Sequence, residues 1–253
     1  EVYPHAAFNG FTATATPRVR EDIVAQLGLR DPEVLVGVFD RPNLTYRVTP
    51  KVDLHDQLRT IIKRHENRAV IVYAISRKNT EEIAGLLKHQ GVRAAHYHAG
   101  MDADERRDVQ DDFAQERTNV VVATVAFGMG IDRSNVRCVV HASMPKSIEH
   151  YQQETGRAGR DGLPSECVLL YSGADAVRWS QLIERSAEET GAAPEWLAHQ
   201  KGNIDEVRQF ASGTLCRHRF LSEYFGQAYE PPSPAGCGAC DVCLGEYDRV
   251  ADA

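Results

Sequence analysis

Two groups of residues in this chain have the types and spacing to do chemistry. In "QQETGRAGRDG", residues 152–162, Arg157 and Arg160 stand three positions apart among Gly156, Gly159 and Gly162. Guanidiniums at that spacing share one face of a helix or turn, and the glycines remove side chains that would keep a bulky anion away. The pattern suits a phosphate clamp, yet the chain contains no G-x-x-x-x-G-K-[ST] loop to cradle a nucleotide. The arginines therefore point toward an anion held by another element. The second group is Cys216-x20-Cys237-x2-Cys240-x2-Cys243, four thiols with the number and spacing of a closed tetrahedral zinc site. On spacing alone an iron–sulfur cluster stays open, although the x3-C-P that completes the bacterial ferredoxin run is missing, and so does a disulfide framework. His218, two residues past Cys216, is read as a surface residue rather than a ligand. Cys138 and Cys167 sit inside apolar runs and read as buried core thiols.

These groups need a scaffold, and 253 residues with 42% hydrophobic and 26% charged content suffice for one large core or a core plus a satellite. The net charge of -7 is unevenly spread. Residues 173–253 hold 7 Lys and Arg against 13 Asp and Glu, which leaves residues 1–172 near neutral with 22 basic and 23 acidic groups. Local basic clusters are compatible with that balance, so net charge does not exclude a nucleic-acid partner. No stretch approaches the ~18 apolar residues of a membrane span, and the first residues lack the basic and apolar regions of a secretory signal. A metal-type cysteine cluster without such a signal suggests a reducing compartment.

The elements that would position the two groups follow from periodicity. Apolar runs occur at "VLVGVF" from 34, "AVIVYA" from 69, "VRAAHY" from 92, "VVVAT" from 120, "CVVHA" from 138 and "CVLLY" from 167. Continuous rather than alternating runs suit strands covered on both faces by helices, as in a parallel sheet. Thr16 with Pro17 and then Gly28 reads as the start and stop of one helix, and Asp102 with Glu105 as the capping box of another. The reading is an α/β domain over 33–172, preceded by residues 1–32 as the remnant and linker of another domain. A helical part over 173–253 follows, ending in the cysteine knuckle. In parallel sheets ligands gather beyond the carboxyl ends of strands. That rule selects Ser76 and Arg77, His98 with Gly100, and Thr124 with the loop after it. Each alone has a bland reading, Ser76 as a helix cap and His98 as a satisfied structural histidine.

In order along the chain, these stretches resemble the second motor domain of superfamily 2 helicases of the RecQ family. "FTATATP" resembles motif III, "VYAISRKNTEEIAGLLKHQGVRAAHYHAGM" motif IV and its continuation, "VVVATVAFGMGIDRSNVRCVVH" motif V, and "YQQETGRAGRDG" motif VI. A DEAD-box RNA helicase is the nearest alternative, but its motif VI would open with His-Arg where this chain has Gln153-Glu154. The resemblance implies a RecA-like parallel sheet flanked by helices, followed by a small helical zinc-binding subdomain. ATP and Mg2+ would be bound mainly by a first RecA-like domain upstream of residue 1. Arg160 would then be the arginine finger, with Arg157 as its neighbour. Asp132 and Gln153 would lie near the nucleotide, Thr14 and Thr16 would couple the domains, and Ser76, Arg77, His98 and Thr124 would touch one DNA strand. Cys216, Cys237, Cys240 and Cys243 would hold a structural Zn2+. The parent protein would be an ATP-dependent 3′ to 5′ DNA helicase of repair and recombination, acting on single-stranded or forked DNA. It is expected to be a monomer, cytoplasmic and nucleoid-associated in a bacterium or nuclear in a eukaryote. Without the phosphate loop this chain alone should be inactive; a non-enzymatic half-motor that binds nucleic acid or a partner is the other class of reading.

Overall fold

The structure is a computed structural model that describes residues 8–128 and 133–247. Its centre is a six-stranded parallel sheet in the order β1-β6-β5-β2-β4-β3. The strands are β1 (Leu44–Pro50), β2 (Ala69–Tyr73), β3 (Ala94–Tyr97), β4 (Val120–Ala123), β5 (Val136–His141) and β6 (Ser165–Tyr171). In β2, β4, β5 and β6 every residue is buried. Alternate residues feed two cores. Val70, Val72, Val122 and Val140 face one side, with Leu58, Ile61, Ile62, Ile83 and Leu87. Ile71, Tyr73, Val121 and Val139 face the other.

Helices α2 (Leu54–Arg64) and α3 (Arg77–His89) cover the first side. Asp53 caps α2 by accepting from the Asp56 amide at 3.0 Å, and Lys63 and Arg64 in its last turn face the negative end of its dipole. Thr80, Ile83, Ala84 and Leu87 place one buried stripe along α3. The short α4 (Ala103–Ala114) opens as expected at Asp102, whose own amide donates to the Glu105 carboxylate at 3.2 Å. An N-terminal helix, α1 (Pro17–Leu27), is likewise capped by Thr16 and stopped by Gly28 in the left-handed region.

The other side is covered by α5 (Ile148–Thr155) and by the helices after the sheet, α6 (Gly173–Thr190), α7 (Pro194–Ser212) and α8 (Arg217–Tyr224). Ile204, Val207 and Phe210 of α7 and Leu221 of α8 join the same core as Ile71 and Val139. The change near residue 173 is thus a change of element type, while the core is continuous across it.

One expected strand is absent from the sheet. "VLVGVF" forms no strand and has no ladder partner, with Leu35 84% and Val38 83% exposed. Its backbone is held by a side chain instead: Gln227 accepts from the Phe39 amide at 2.9 Å and donates to the Gly37 carbonyl at 2.7 Å. The edge position belongs to "LTYRVTP", β1, which alternates between buried and partly exposed residues because it is an outer strand.

Because helices and sheet share one core, Phe210→Ala should destabilise both together. The expected loss is about 3–5 kcal/mol in denaturant unfolding, with far-UV dichroism and tyrosine fluorescence following a single transition. Two separated transitions would show that the helical part folds independently.

Candidate nucleotide cleft and zinc knuckle

The "GRAGR" loop leaves α5 through Gly156 and is fixed to the sheet by its backbone. The Gly159 amide donates to the Val136 carbonyl at 2.9 Å, at the first residue of β5. Helix α5 begins beyond the far end of that strand, so it carries the loop back to the strand-starting edge, about 12 Å away at 1.5 Å per residue. Gly159 has φ +54, and a Cβ there would meet Asn43 Nδ2 at 2.5 Å and the Leu163 carbonyl at 2.8 Å. Only glycine fits both the conformation and the space.

The two arginines are held differently. Arg157 is half-buried and donates through NH1 to the Gly128 carbonyl at 2.7 Å; a Cβ on Gly128 would collide with its guanidinium. Arg160 is exposed, with its Nε toward the Gly156 carbonyl at 3.5 Å. Both line a cleft of about 580 Å³ with Arg20, Arg41, residues 12–15 and residues 35–39. Among the described residues lining it there are four guanidiniums and no carboxylate; Arg41 and Arg157 are held by backbone carbonyls, and the positive charge of the lining suits a polyanion. Gln153 and Thr14, given separate tasks in the sequence, meet here: Gln153 Nε2 donates to Thr14 Oγ1 at 2.8 Å. Thr16 accepts from the Val19 amide at 3.4 Å as the cap of α1. Asp132 lies outside the described residues.

At the opposite edge of the sheet, beyond the carboxyl ends of β2, β3 and β4, lie Ser76, Arg77, His98 and Thr124. Ser76 caps α3, accepting from the Asn79 amide at 3.2 Å and donating its proton to Asn79 Oδ1 at 2.6 Å. His98 is buried, with Nδ1 accepting from the Gly100 amide at 3.2 Å and Nε2 donating to Glu81 at 2.8 Å. Both ring nitrogens are engaged inside the protein. The exposed group is Arg77, whose guanidinium rests against Gly100, where a Cβ would meet NH1 at 2.7 Å. Thr124 stands partly exposed at the end of β4.

The knuckle brings Cys216, Cys237, Cys240 and Cys243 together, all four Sγ atoms within 4.8 Å of one another. The Cys216 and Cys240 sulfurs are 4.0 Å apart; a tetrahedron with zinc–sulfur bonds of about 2.3 Å has edges of about 3.8 Å. Backbone amides of Ala239 and Cys243 donate to the Cys237 and Cys240 sulfurs at 3.3 and 3.4 Å. The hydrogen bond from Cys216 pulls the Cys240 thiol below its ordinary range, while the same bond raises Cys216 and burial raises Cys237, so the thiolate character of the cluster is concentrated on Cys240. Gly236, at φ +109, lets the chain pass where a Cβ would lie 2.5 Å from the Cys243 sulfur. The donor set and spacing fit a structural zinc ion.

The knuckle is bonded to the outer edge of β1. The Tyr46 amide donates to the Ala239 carbonyl at 3.0 Å and the Val48 amide to Asp241 Oδ2 at 3.0 Å. Asp241 is held in turn by Arg217, Nε to Oδ1 at 2.9 Å and NH2 to Oδ2 at 3.0 Å, with both side chains fully buried. His218 is neither a surface residue nor a member of the cysteine cluster. It is 2% exposed, its Nδ1 is 2.6 Å from Asp40, and its Nε2 faces the Leu44 and Ala239 carbonyls at 3.1 and 3.2 Å. Burial would lower its pKa, but the Asp40 carboxylate outweighs it and the pKa is raised. Sequence spacing could not reveal this, because Asp40 lies 178 positions away.

A second cluster, His65, Cys138 and Glu166, has ligand atoms within 4.8 Å of one another. It is an ion-pair site: Glu166 binds His65 at 2.7 Å, Arg47 at 2.9 Å and Arg64 at 3.3 Å. Burial pushes the Glu166 carboxyl up, yet the His65 hydrogen bond and the two arginines hold it below the usual range.

Comparison with known proteins agrees with this geometry. The helicase conserved C-terminal domain family matches residues 53–162, and the RecQ zinc-binding family matches residues 173–244. The fold is shared with S. cerevisiae Dbp5 bound to RNA and ADP BeF3, at TM-score 0.58 and 19% identity over 78% of this chain and 54% of that one. It is shared too with Mycobacterium smegmatis helicase Lhr, at TM-score 0.51 and 22% identity over 69% of this chain and 25% of that one. Fold and first match define the class, a helicase C-terminal domain with a RecA-like sheet. The ATP-dependent DNA helicase RecQ of Pasteurella multocida is 41% identical over 99% of this chain and 39% of its own length. For the Haemophilus influenzae protein of that name the values are 42%, 99% and 40%, and for the Bacillus subtilis protein 38%, 100% and 42%. The chain belongs to the RecQ family of superfamily 2 helicases, as a C-terminal region that spans about two fifths of the length of these relatives.

One zinc per chain and a colourless protein are expected. Chelation, or Cys240→Ser, should speed hydrogen exchange at the Tyr46 and Val48 amides, while the amides of β2 and β4 stay protected, because metal affinity and local folding are one free energy. Visible absorption would overturn the zinc assignment. Unchanged exchange at Tyr46 and Val48 would show that the strand edge does not depend on the knuckle.

Proposed function

We propose that this chain is the second motor domain and zinc-binding part of an ATP-dependent 3′ to 5′ DNA helicase of repair and recombination. The observation that carries the reading is the carboxylate-free cleft among the described residues, with Arg157 fixed against Gly128 and Arg160 exposed beside it. A first RecA-like domain would present ATP and Mg2+ to this cleft. Arg160 is then the finger, since an arginine stays charged and grips two phosphate oxygens with a planar fork. Arg157, tied to the loop that follows β4, keeps the cleft wall in register. The contact between Gln153 and Thr14 couples that wall to the segment leading from the first domain.

The DNA strand would cross the opposite edge of the sheet. Arg77 supplies the charge there and Thr124 a hydroxyl, whereas Ser76 and His98, whose hydrogen bonds are used internally, shape the loops. Contacts of this kind read the phosphate backbone and not the sequence. Family membership supports a DNA substrate and the 3′ to 5′ direction. Helix α5, with its ends at the two edges, connects them.

This chain alone should hydrolyse no ATP above background. In the full-length protein, Arg160→Ala should lower the DNA-stimulated rate by about three orders of magnitude, with a much smaller change in ATP affinity, and Arg160→Lys should recover little. Rates within a few-fold of the parent would remove Arg160 as the finger and move the test to Arg157.

Arg77→Ala should weaken single-stranded DNA binding and reduce the slope of log affinity against log salt by about 0.7. An unchanged slope would place the DNA strand elsewhere.

A further inference from the structure

The turn that leads into β1 grips the finger loop from outside the family motifs. Arg41, Pro42, Asn43 and Leu44 form a tight turn closed by the Leu44 amide donating to the Arg41 carbonyl at 2.9 Å, with proline at the second position, whose φ it presets. From this turn Arg41 NH2 donates to the Gly159 carbonyl at 2.7 Å and to the Ala158 carbonyl at 3.2 Å. Asn43 Nδ2 donates to the Gly159 carbonyl at 2.9 Å and to the Leu163 carbonyl at 3.0 Å. Arg41 Nε also reaches Asn43 Oδ1 at 3.4 Å, so the two clamp residues brace each other. The gripped carbonyls stand immediately before Arg160 and three residues after it.

A loop with glycine at 156, 159 and 162 has more backbone freedom to lose than one with side chains at those positions. An arginine on such a loop contributes to a transition state only if its geometry is fixed beforehand. The turn supplies that fixity, and it is itself anchored on its other flank: Asp40 pairs with His218 at 2.6 Å, beside the zinc knuckle. We propose that Arg41 and Asn43 are positioning residues for the finger, acting through the Ala158, Gly159 and Leu163 carbonyls and not through the nucleotide. The inference rests on the finger reading of Arg160.

The test is steady-state DNA-stimulated ATPase of the full-length protein carrying Arg41→Ala, Asn43→Asp or Arg160→Ala, and Arg41→Ala combined with Arg160→Ala. Asn43→Asp keeps size and shape but turns a donor into an acceptor facing two carbonyls. Arg41→Ala and Asn43→Asp should each lower kcat by about tenfold to a hundredfold, the scale of a 1 Å misplacement, while KM for ATP changes by less than about threefold. With Arg160 already replaced, Arg41→Ala should cost less than about twofold more, since the clamp acts only through that finger. Losses that multiply in the double variant would overturn the proposal, as would full activity of either clamp variant beside an inactive Arg160→Ala. Full activity of Arg160→Ala would instead sink the finger reading itself. If melting shows that Arg41→Ala does not fold, Asn43→Asp decides alone: wild-type kcat overturns the clamp, and a reduced kcat at unchanged KM and melting temperature supports it.

Discussion

The outer edge of β1 is the constraint on which the rest depends. A parallel sheet ends in strands whose outward amides and carbonyls have no ladder partner, and an edge left bare invites foreign strands. Here the Tyr46 and Val48 amides are satisfied by the Ala239 carbonyl and the Asp241 carboxylate. A carboxylate buried for that purpose requires a counter-charge, and Arg217 provides it with two hydrogen bonds. Arg217 adjoins Cys216, and Asp241 adjoins Cys240. The cysteine cluster and the edge of the sheet are therefore one structure, joined through a buried ion pair and two backbone contacts.

The same dependence explains how one domain serves two edges. Residues at the carboxyl ends of β2, β3 and β4 lie where parallel sheets ordinarily bind ligands. The arginine loop lies at the other edge, brought there by α5 and held by the Val136 carbonyl. Glycines make close approach feasible at Gly128 and Gly159, and the neighbouring groups restore the rigidity that glycine gives up. Arg157 and Arg160 thus differ in surroundings although they are alike in type: one is spent on a carbonyl inside the protein, the other faces the cleft.

Much of this was legible from residues alone. The fully buried strands read as continuous apolar runs because helices cover both faces, and the caps at Thr16 and Asp102 read from short local spacing. The four cysteines were visible for the same reason. β1 was not, since an outer strand alternates and "LTYRVTP" carries an arginine and two threonines. The exposed "VLVGVF" looked more like a strand than the true one did. His218 was misplaced because its burial is decided by Asp40 and the Leu44 carbonyl, far away in sequence. The unequal surroundings of the two arginines depend on the Gly128 carbonyl, which no periodicity could connect to them.

The bond between Val48 and Asp241 joins positions 193 residues apart, which bears on the order in which the molecule assembles. Contacts of such separation cannot form until the intervening chain is compact, because loop closure must be met before the contact can contribute. β1 leaves a ribosome before its sheet partner β6, which begins at Ser165, and before its outer cover at residue 239. During synthesis the strand waits without either neighbour. The knuckle is consequently a late closure: its ligands converge on a scaffold that the sheet has already built, and metal capture locks a fold that the earlier strands began.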